Sequence, residues 1–101
     1  MIIVAILTVR RAELDAFRRF ETAAQAIMRD HGGRIERAIA ADSESGEQMH
    51  EIHIVHFETA QGFDAYRADA RLVALQELRA TAVIETRLFI GEDVPLSTPV
   101  D

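Results

Sequence analysis

Between residues 9 and 14 the apolar residues of this chain change their spacing, and such changes of period recur down the sequence in an order that few folds accept. Residues 2–9 are rich in β-branched side chains and apolar on both alternating faces, the pattern of a central strand covered on both sides. From Ala12 onward the steps become three and four: Leu14, Phe17, Phe20, Ala24, Ile27 and Met28 share a side, with Arg18, Arg19, Glu21 and Arg29 on the other. That spacing predicts an amphipathic helix of about five turns. It stops at His31-Gly32-Gly33, where a glycine takes the left-handed cap conformation.

Residues 34–41 alternate again, with Arg34, Glu36, Ala38 and Ala40 on one face and Ile35, Arg37, Ile39 and Ala41 on the other. A polar loop at 42–48 leads into a third strand at 49–57. Thr59 caps a second helical segment carrying Phe63 and Tyr66, and Asp69 caps a further piece running through Leu72, Val73, Leu75 and Leu78 to Arg79. Residues 83–90 close the pattern as a fourth strand. Ile84, Leu88 and Ile90 form one face, broken by Thr86, and Val83, Glu85, Arg87 and Phe89 form the other.

The resulting order, β-α-β-β-α-β, predicts an α+β, ferredoxin-like fold: a four-stranded antiparallel sheet with helices on one face. Residues 1–91 make a single domain, and residues 92–101 make a C-terminal tail that is either flexible or laid across a partner. The second sheet face still carries large apolar side chains. A second copy is its simplest cover, so the pattern predicts a homodimer.

Charge narrows the function classes. A formal net charge of −6, one Tyr and no Trp leave neither the basic footprint nor the stacking groups that nucleic acid needs. That also weakens an RNA-binding reading of the same fold, and an anionic membrane surface is disfavoured on the same ground. The absence of Cys excludes disulfides, thiolate metal sites and Cys nucleophiles. The first apolar run is too short to span a bilayer and lacks the basic flank of a signal peptide, so a cytoplasmic setting is expected.

Three of the four histidines fall in one run, His50-Glu51-Ile52-His53-Ile54-Val55-His56-Phe57. On a strand, His50 and His56 are roughly 20 Å apart and cannot share a metal ion, so no metal site is expected there. Glu51 and His53 share a face. A carboxylate beside an imidazole raises its basicity and fixes its tautomer, the arrangement of a general acid–base; the plainer alternative is a surface ion pair. Tyr66 either offers its hydroxyl to a ligand or is a core residue with its oxygen at the rim. Arg79 binds an anion or, the favoured reading, caps the carbonyls at its helix end. No GxGxxG, P-loop, GxSxG or HExxH motif is present, and no cofactor is expected.

His31-Gly32-Gly33-Arg34 after the first helix, Ile54-Val55-His56-Phe57 leading into Phe63 and Tyr66, Leu78-Arg79 before the last strand, and Gly91 closing it together resemble a known pattern. Over residues 2–91 the chain resembles the dimeric α/β-barrel superfamily that includes antibiotic-biosynthesis monooxygenases. Within it, the chain is most similar to the uncharacterised family called domain of unknown function thirteen-thirty. The resemblance implies a small-molecule pocket between sheet and helices in each subunit of a dimer. Relatives include cofactor-free monooxygenases, haem-degrading enzymes and lactone isomerases. The oxygenases use an asparagine, a tryptophan and a histidine or tyrosine, whereas this sequence has no Asn and no Trp. The resemblance places Phe57 at the tryptophan position, Tyr66 near the histidine position and Thr8 at the asparagine position. It implies that Phe57, Val55 and His53 face the pocket and His56 faces the barrel.

The expectation is a homodimeric small-molecule-binding protein in which any catalysis is acid–base and cofactor-independent. His53 would move the proton and Glu51 would orient it, while Tyr66 and Arg79 contact the ligand and Phe57 forms a wall. The alternatives are a monooxygenase-like oxidoreductase acting on an aromatic substrate and a non-catalytic structural or regulatory dimer.

Overall fold

The apolar run at the start of the chain becomes β1 (Ile2–Arg10), one of the two inner strands of a sheet seen here in a computed structural model that describes residues 1–97 and 99. It pairs antiparallel with β3 (Gln48–Phe57) on one side and β4 (Val83–Gly91) on the other. β2 (Gly33–Asp42) extends the sheet beyond β3, giving the order β2-β3-β1-β4 with every neighbour antiparallel. A single 3-10 turn, Arg11–Glu13, leads into α1 (Leu14–Asp30), which returns the chain from β1 to β2. The second crossover is broken into α2 (Ala60–Ala68), α3 (Ala70–Val73) and α4 (Gln76–Ala82). This is the ferredoxin-like α+β fold. No helix among the described residues is long and apolar enough to cross a membrane.

Local chemistry explains the boundaries. Gly32 has φ +76, the left-handed cap that ends α1. Thr59 accepts a hydrogen bond from the Gly62 backbone at 2.9 Å, and Asp69 accepts one from Arg71 at 2.9 Å, so both act as N-caps. Residues 92–97 continue without regular structure, with Val94 and Leu96 exposed. Thr98, Val100 and Asp101, the rest of the expected tail, lie outside the described residues.

Two β-bulges correct the face assignments. Directly opposed residues share a face, and the β2–β3 register shifts between Ile35 and Arg37. Ile35 therefore joins Val55 on the helix side, together with Ala38 and Ala40, while Arg34 and Arg37 lie on the open side. In β4 the register against β1 shifts where Val83 meets Val9 and Glu85 meets Thr8. Val83 is thereby buried under the helices and parts company with Glu85, Arg87 and Phe89; Ile84 is the extra residue. Strict alternation put these residues on the wrong sides because it has no place for an inserted one.

The core under the helices comes in two apolar halves. One joins Leu7, Val9, Phe17, Met49, Ala82 and Val83; the other joins Ile3, Met28, Val55, Phe57 and Phe63. Between them β3 carries Glu51 and His53, both buried. The opposite sheet face carries Ile2, Val4, Ile6, Ile52 and Ile54, with Ile39 and Phe89 exposed.

Candidate functional site

β3 alternates in burial from Met49 to Phe57, so Glu51, His53, Val55 and Phe57 all turn toward the helices. The register sets Glu51 opposite Leu7 and His53 opposite Ala5. α1 lies over them and contributes Arg18, Glu21 and Gln25 at helical spacing on one side. Thr59 starts α2 immediately after β3, which brings Phe63 and Tyr66 against Phe57, with ring centroids 5.3 and 5.6 Å apart. Phe57 itself fits because β2 starts on a glycine: a Cβ at Gly33 would overlap the phenyl ring.

These elements border a half-open cavity of about 390 Å³ between sheet and helices. Its walls include Ile3, Phe17, Phe20, Met28, Val55, Phe57, Phe63 and Leu88, and the polar side chains reaching it are Glu21, Gln25, His53, Tyr66, Arg67, Gln76 and Arg79. Of the residues singled out in the sequence, His53, Phe57, Tyr66 and Arg79 line this cavity. Glu51 does not; it stands behind His53 and lines an outer cleft beside β2.

His53 Nε2 lies 2.8 Å from Glu51 Oε1 and 2.9 Å from Glu21 Oε2. Arg18 closes the group, donating from Nη1 to both oxygens of Glu51 at 2.9 and 2.8 Å and pairing with Glu21. Burial opposes the charged forms of both His53 and Glu21, but mutual hydrogen bonding wins. Glu21 and Glu51 hold the imidazole above its usual range, and His53, Glu51 and Arg18 hold the Glu21 carboxyl down at about 2. Arg18 is likewise raised against the burial that opposes it, by Glu21 and then Glu51.

The ligand atoms of Glu21, Glu51 and His53 all lie within 4.8 Å of one another, a spacing compatible with a divalent cation. Each of these atoms already has a partner within the group, since Arg18 pairs with both carboxylates and His53 Nε2 bonds each of them. Sequence reasoning set Glu21 among the polar residues of α1 and missed it as a partner of His53. The signal was its spacing of three from Arg18.

Across the cavity Arg79 departs from the expected capping role. The carbonyls at the end of α4, those of Ala80 and Thr81, accept hydrogen bonds from Arg10 instead, at 3.1 and 3.0 Å. Arg79 turns inward and donates to Thr86 Oγ1 on β4. No carboxylate pairs with it among the described residues. Burial lowers its pKa, while the nearby Tyr66 works the other way. Burial raises the Tyr66 hydroxyl, with Arg79 opposing, so at neutral pH it is a protonated donor.

The remaining candidates fall elsewhere. His50 and His56 lie on the open face, His50 Nδ1 being 3.1 Å from Thr8 Oγ1 and His56 Nδ1 3.2 Å from Arg34. Thr8 therefore faces away from the cavity, and the asparagine position implied for it is not reproduced. His31 follows the end of α1 and binds Asp69 Oδ2 at 2.8 Å.

Comparison of the sequence with protein-family models and with curated proteins finds no match. Solved structures do match over nearly the whole chain. One is SnoaB, a cofactor-independent oxygenase from Streptomyces nogalater: 11% identity over 92% of this chain and 94% of that one, TM-score 0.64. Another is a protein from Bacteroides thetaiotaomicron described as an antibiotic biosynthesis monooxygenase. It is 12% identical over 100% of this chain and 95% of its own, with TM-score 0.68. A protein of unknown function from Rhodopseudomonas palustris reaches TM-score 0.70 at 15% identity, over 92% of this chain and 84% of that one. At these identities the likeness is one of fold, and it shows no link to the narrower domain-of-unknown-function family. The chain thus has the fold of the antibiotic-biosynthesis-monooxygenase-like proteins.

Proposed function

We propose that the chain is a homodimeric small-molecule-binding protein whose cavity takes a flat, largely apolar ligand bearing an oxyanion or carbonyl group. The observation that carries this reading is the cavity itself: apolar and aromatic walls, with His53, Tyr66 and Arg79 converging on one space. Tyr66 stands against a ring, with the buried Phe57 and Phe63 packed behind it, while Arg79, free of any carboxylate among the described residues, and the neutral Tyr66 hydroxyl meet its polar end. His53 is the proton carrier and Glu51 orients it, so any catalysis is acid–base and needs no bound cofactor. A purely structural dimer would have no use for polar groups directed into a cavity of this size.

The open sheet face is the proposed dimer surface. Ile2, Val4, Ile6, Ile52, Ile54 and Phe89 form an apolar patch rimmed by His50, His56, Arg34 and Arg87, the anatomy of a self-complementary interface. Ile54→Glu is expected to give a monomer in sedimentation, whereas a wild-type chain that sediments as a monomer removes the dimer from the proposal.

The ligand reading is tested by titrating the labelled protein with 1-naphthoate and 1-naphthol and following the His53, Tyr66 and Arg79 resonances. Perturbation of all three is expected. Arg79→Met is expected to weaken naphthoate binding about tenfold, the scale of one lost charged hydrogen bond. Probes that leave all three side chains unmoved defeat the reading. The likeness to a cofactor-independent oxygenase favours a second reading, oxygenation of an electron-rich aromatic substrate. Oxygen uptake with a naphthalene-type quinol tests it, and turnover no faster than the uncatalysed background removes it.

A further inference from the structure

The two nitrogens of the His53 ring have different surroundings. Nε2 is held by Glu51 Oε1 at 2.8 Å and Glu21 Oε2 at 2.9 Å. Nδ1 bonds to no described residue. Yet among the described residues no buried side-chain nitrogen or oxygen lacks a partner, so Nδ1 is not sealed off, and the space that His53 lines is the proposed ligand cavity. The two carboxylates reach the ring from different layers. Glu51 comes from the same strand, two residues earlier, while Glu21 comes down from α1.

Glu21 also lines both spaces: the inner cavity, and the outer cleft of about 340 Å³ that it shares with Arg18, Gln25, Glu36, Arg37 and Glu51. Arg18 sits on that outer side with its side chain about half exposed (53%), where it divides the negative charge of the two carboxylates with His53.

We propose that Glu21 is a positioning residue for His53: with Glu51 it anchors Nε2–H, so that the ring meets the ligand as an imidazolium presenting Nδ1–H, and Arg18 tempers this charge from outside. This rests on the reading of His53 as the proton carrier and adds which atom acts and in which state. In the proton-donating step the Nδ1–H bond breaks and the proton passes to a basic oxygen or carbanionic carbon of the ligand. The electron pair stays on Nδ1, leaving a neutral ring whose Nε2–H is still held by both carboxylates. The same nitrogen then takes a proton back from the ligand or from cavity water.

The groups facing the ring fix the sign of the effect. α1 contributes Glu21 and Arg18, and β3 contributes Glu51. The flanking strands set Ala5 and Ala38 beside it and add no charge, and Tyr66, Arg67 and Arg79 lie across the cavity. Of these, the two carboxylates are in direct contact and raise the imidazole; burial alone would lower it.

The test is a pH titration of the His53 ring by nitrogen-15 NMR in the full-length, ligand-free protein, for the wild type, Glu21→Gln and Arg18→Gln. In wild type the ring is expected to titrate above the range of an exposed histidine and to deprotonate to the Nε2–H tautomer. Glu21→Gln keeps the size and an acceptor oxygen but loses the charge, so the midpoint falls by about one pH unit with the tautomer retained. Arg18→Gln frees carboxylate charge for the ring, and the midpoint rises. A midpoint that stays put or moves the opposite way in either variant overturns the proposal, even where the melting temperature drops, because a merely structural Glu21 changes stability alone. If Glu21→Gln does not fold, Arg18→Gln decides the matter, since its side chain is half exposed. Failure of the underlying reading looks different: His53 shifts as expected between variants, but 1-naphthoate leaves it untouched.

Discussion

Two histidines of this chain are bound by carboxylates that also hold arginines, at the same distance, and the surroundings give them different work. His53 is 2.8 Å from Glu51, with Glu21 and Arg18 completing the group. His31 is 2.8 Å from Asp69, with Arg71 and Asp30 completing it. The inner His53 and Glu51 expose only 8% and 4% of their side chains, against 24% and 13% for His31 and Asp69, while the outer group also ends in Arg71 and Asp30 at 57% and 58%. Water screens the outer pairs, so they mainly tie the end of α1 to the Asp69 cap that joins α2 to α3. The His53–Glu51 pair lacks most of that screening, and it stands beside the proposed ligand cavity. Distance alone does not separate a site from a strut; burial does.

The sharpest way to break this comparison is to remove one inner carboxylate. Glu51→Ala leaves the buried His53 and Arg18 sharing Glu21 alone, and the expected loss is about 3 kcal/mol of unfolding free energy in urea. A loss below about 1 kcal/mol, the scale of an exposed pair, would show that water reaches the inner cluster and that the two networks are alike.

A second effect is set by pH. Glu21 is depressed from 4.5 to about 2, so its contribution is present above pH 4.5 and fades as pH falls toward 2. His53 is raised above 6.5, so its contribution is full below 6.5 and is lost as pH climbs through the raised value. The inner network therefore stabilises most between about pH 4.5 and 6.5 and weakens on both sides. Asp69, held well below the usual range by Arg71 and then His31, adds to the acid side. In thermal melts across pH, His53→Gln is expected to abolish the alkaline fall and to keep an acid one. An alkaline fall that survives the substitution assigns it to another group.

The order of elements was legible because each boundary carries its own chemistry. The period breaks after Val9, Gly32 supplies the positive φ that ends α1, and Thr59 and Asp69 bond the helix amides that follow them. The Glu51–His53 pair was legible for a similar reason, since two residues apart on one strand must share a face. Glu21 was not. On its own helix it stands on the polar side with Arg18 and Arg19, and only the position of β3 beneath α1 turns that edge inward. The bulges at Glu36 and Ile84 were hidden because an inserted residue shows itself only against a paired strand. Arg79 was misread because the competing donor, Arg10, sits about seventy positions away and arrives at the α4 carbonyls only through β1–β4 pairing.

The smallest expected effect tests whether the two networks are independent. Both hang on α1, with Glu21 and Asp30 nine residues apart, about 14 Å along the axis at 1.5 Å per residue. At physiological salt the Debye length is about 8 Å, so charge lost at Asp69 is mostly screened before it reaches His53. Asp69→Asn removes the outer charge but keeps a side-chain oxygen that caps α3 as aspartate does. The melting midpoint is therefore expected to move less than in Glu51→Ala, and the His53 NMR midpoint not at all. A shifted His53 midpoint would mean that the tie between α1 and the Asp69 cap sets where Glu21 sits over the ring. The outer network would then be a mechanical control on the inner one, and the strut would belong to the site.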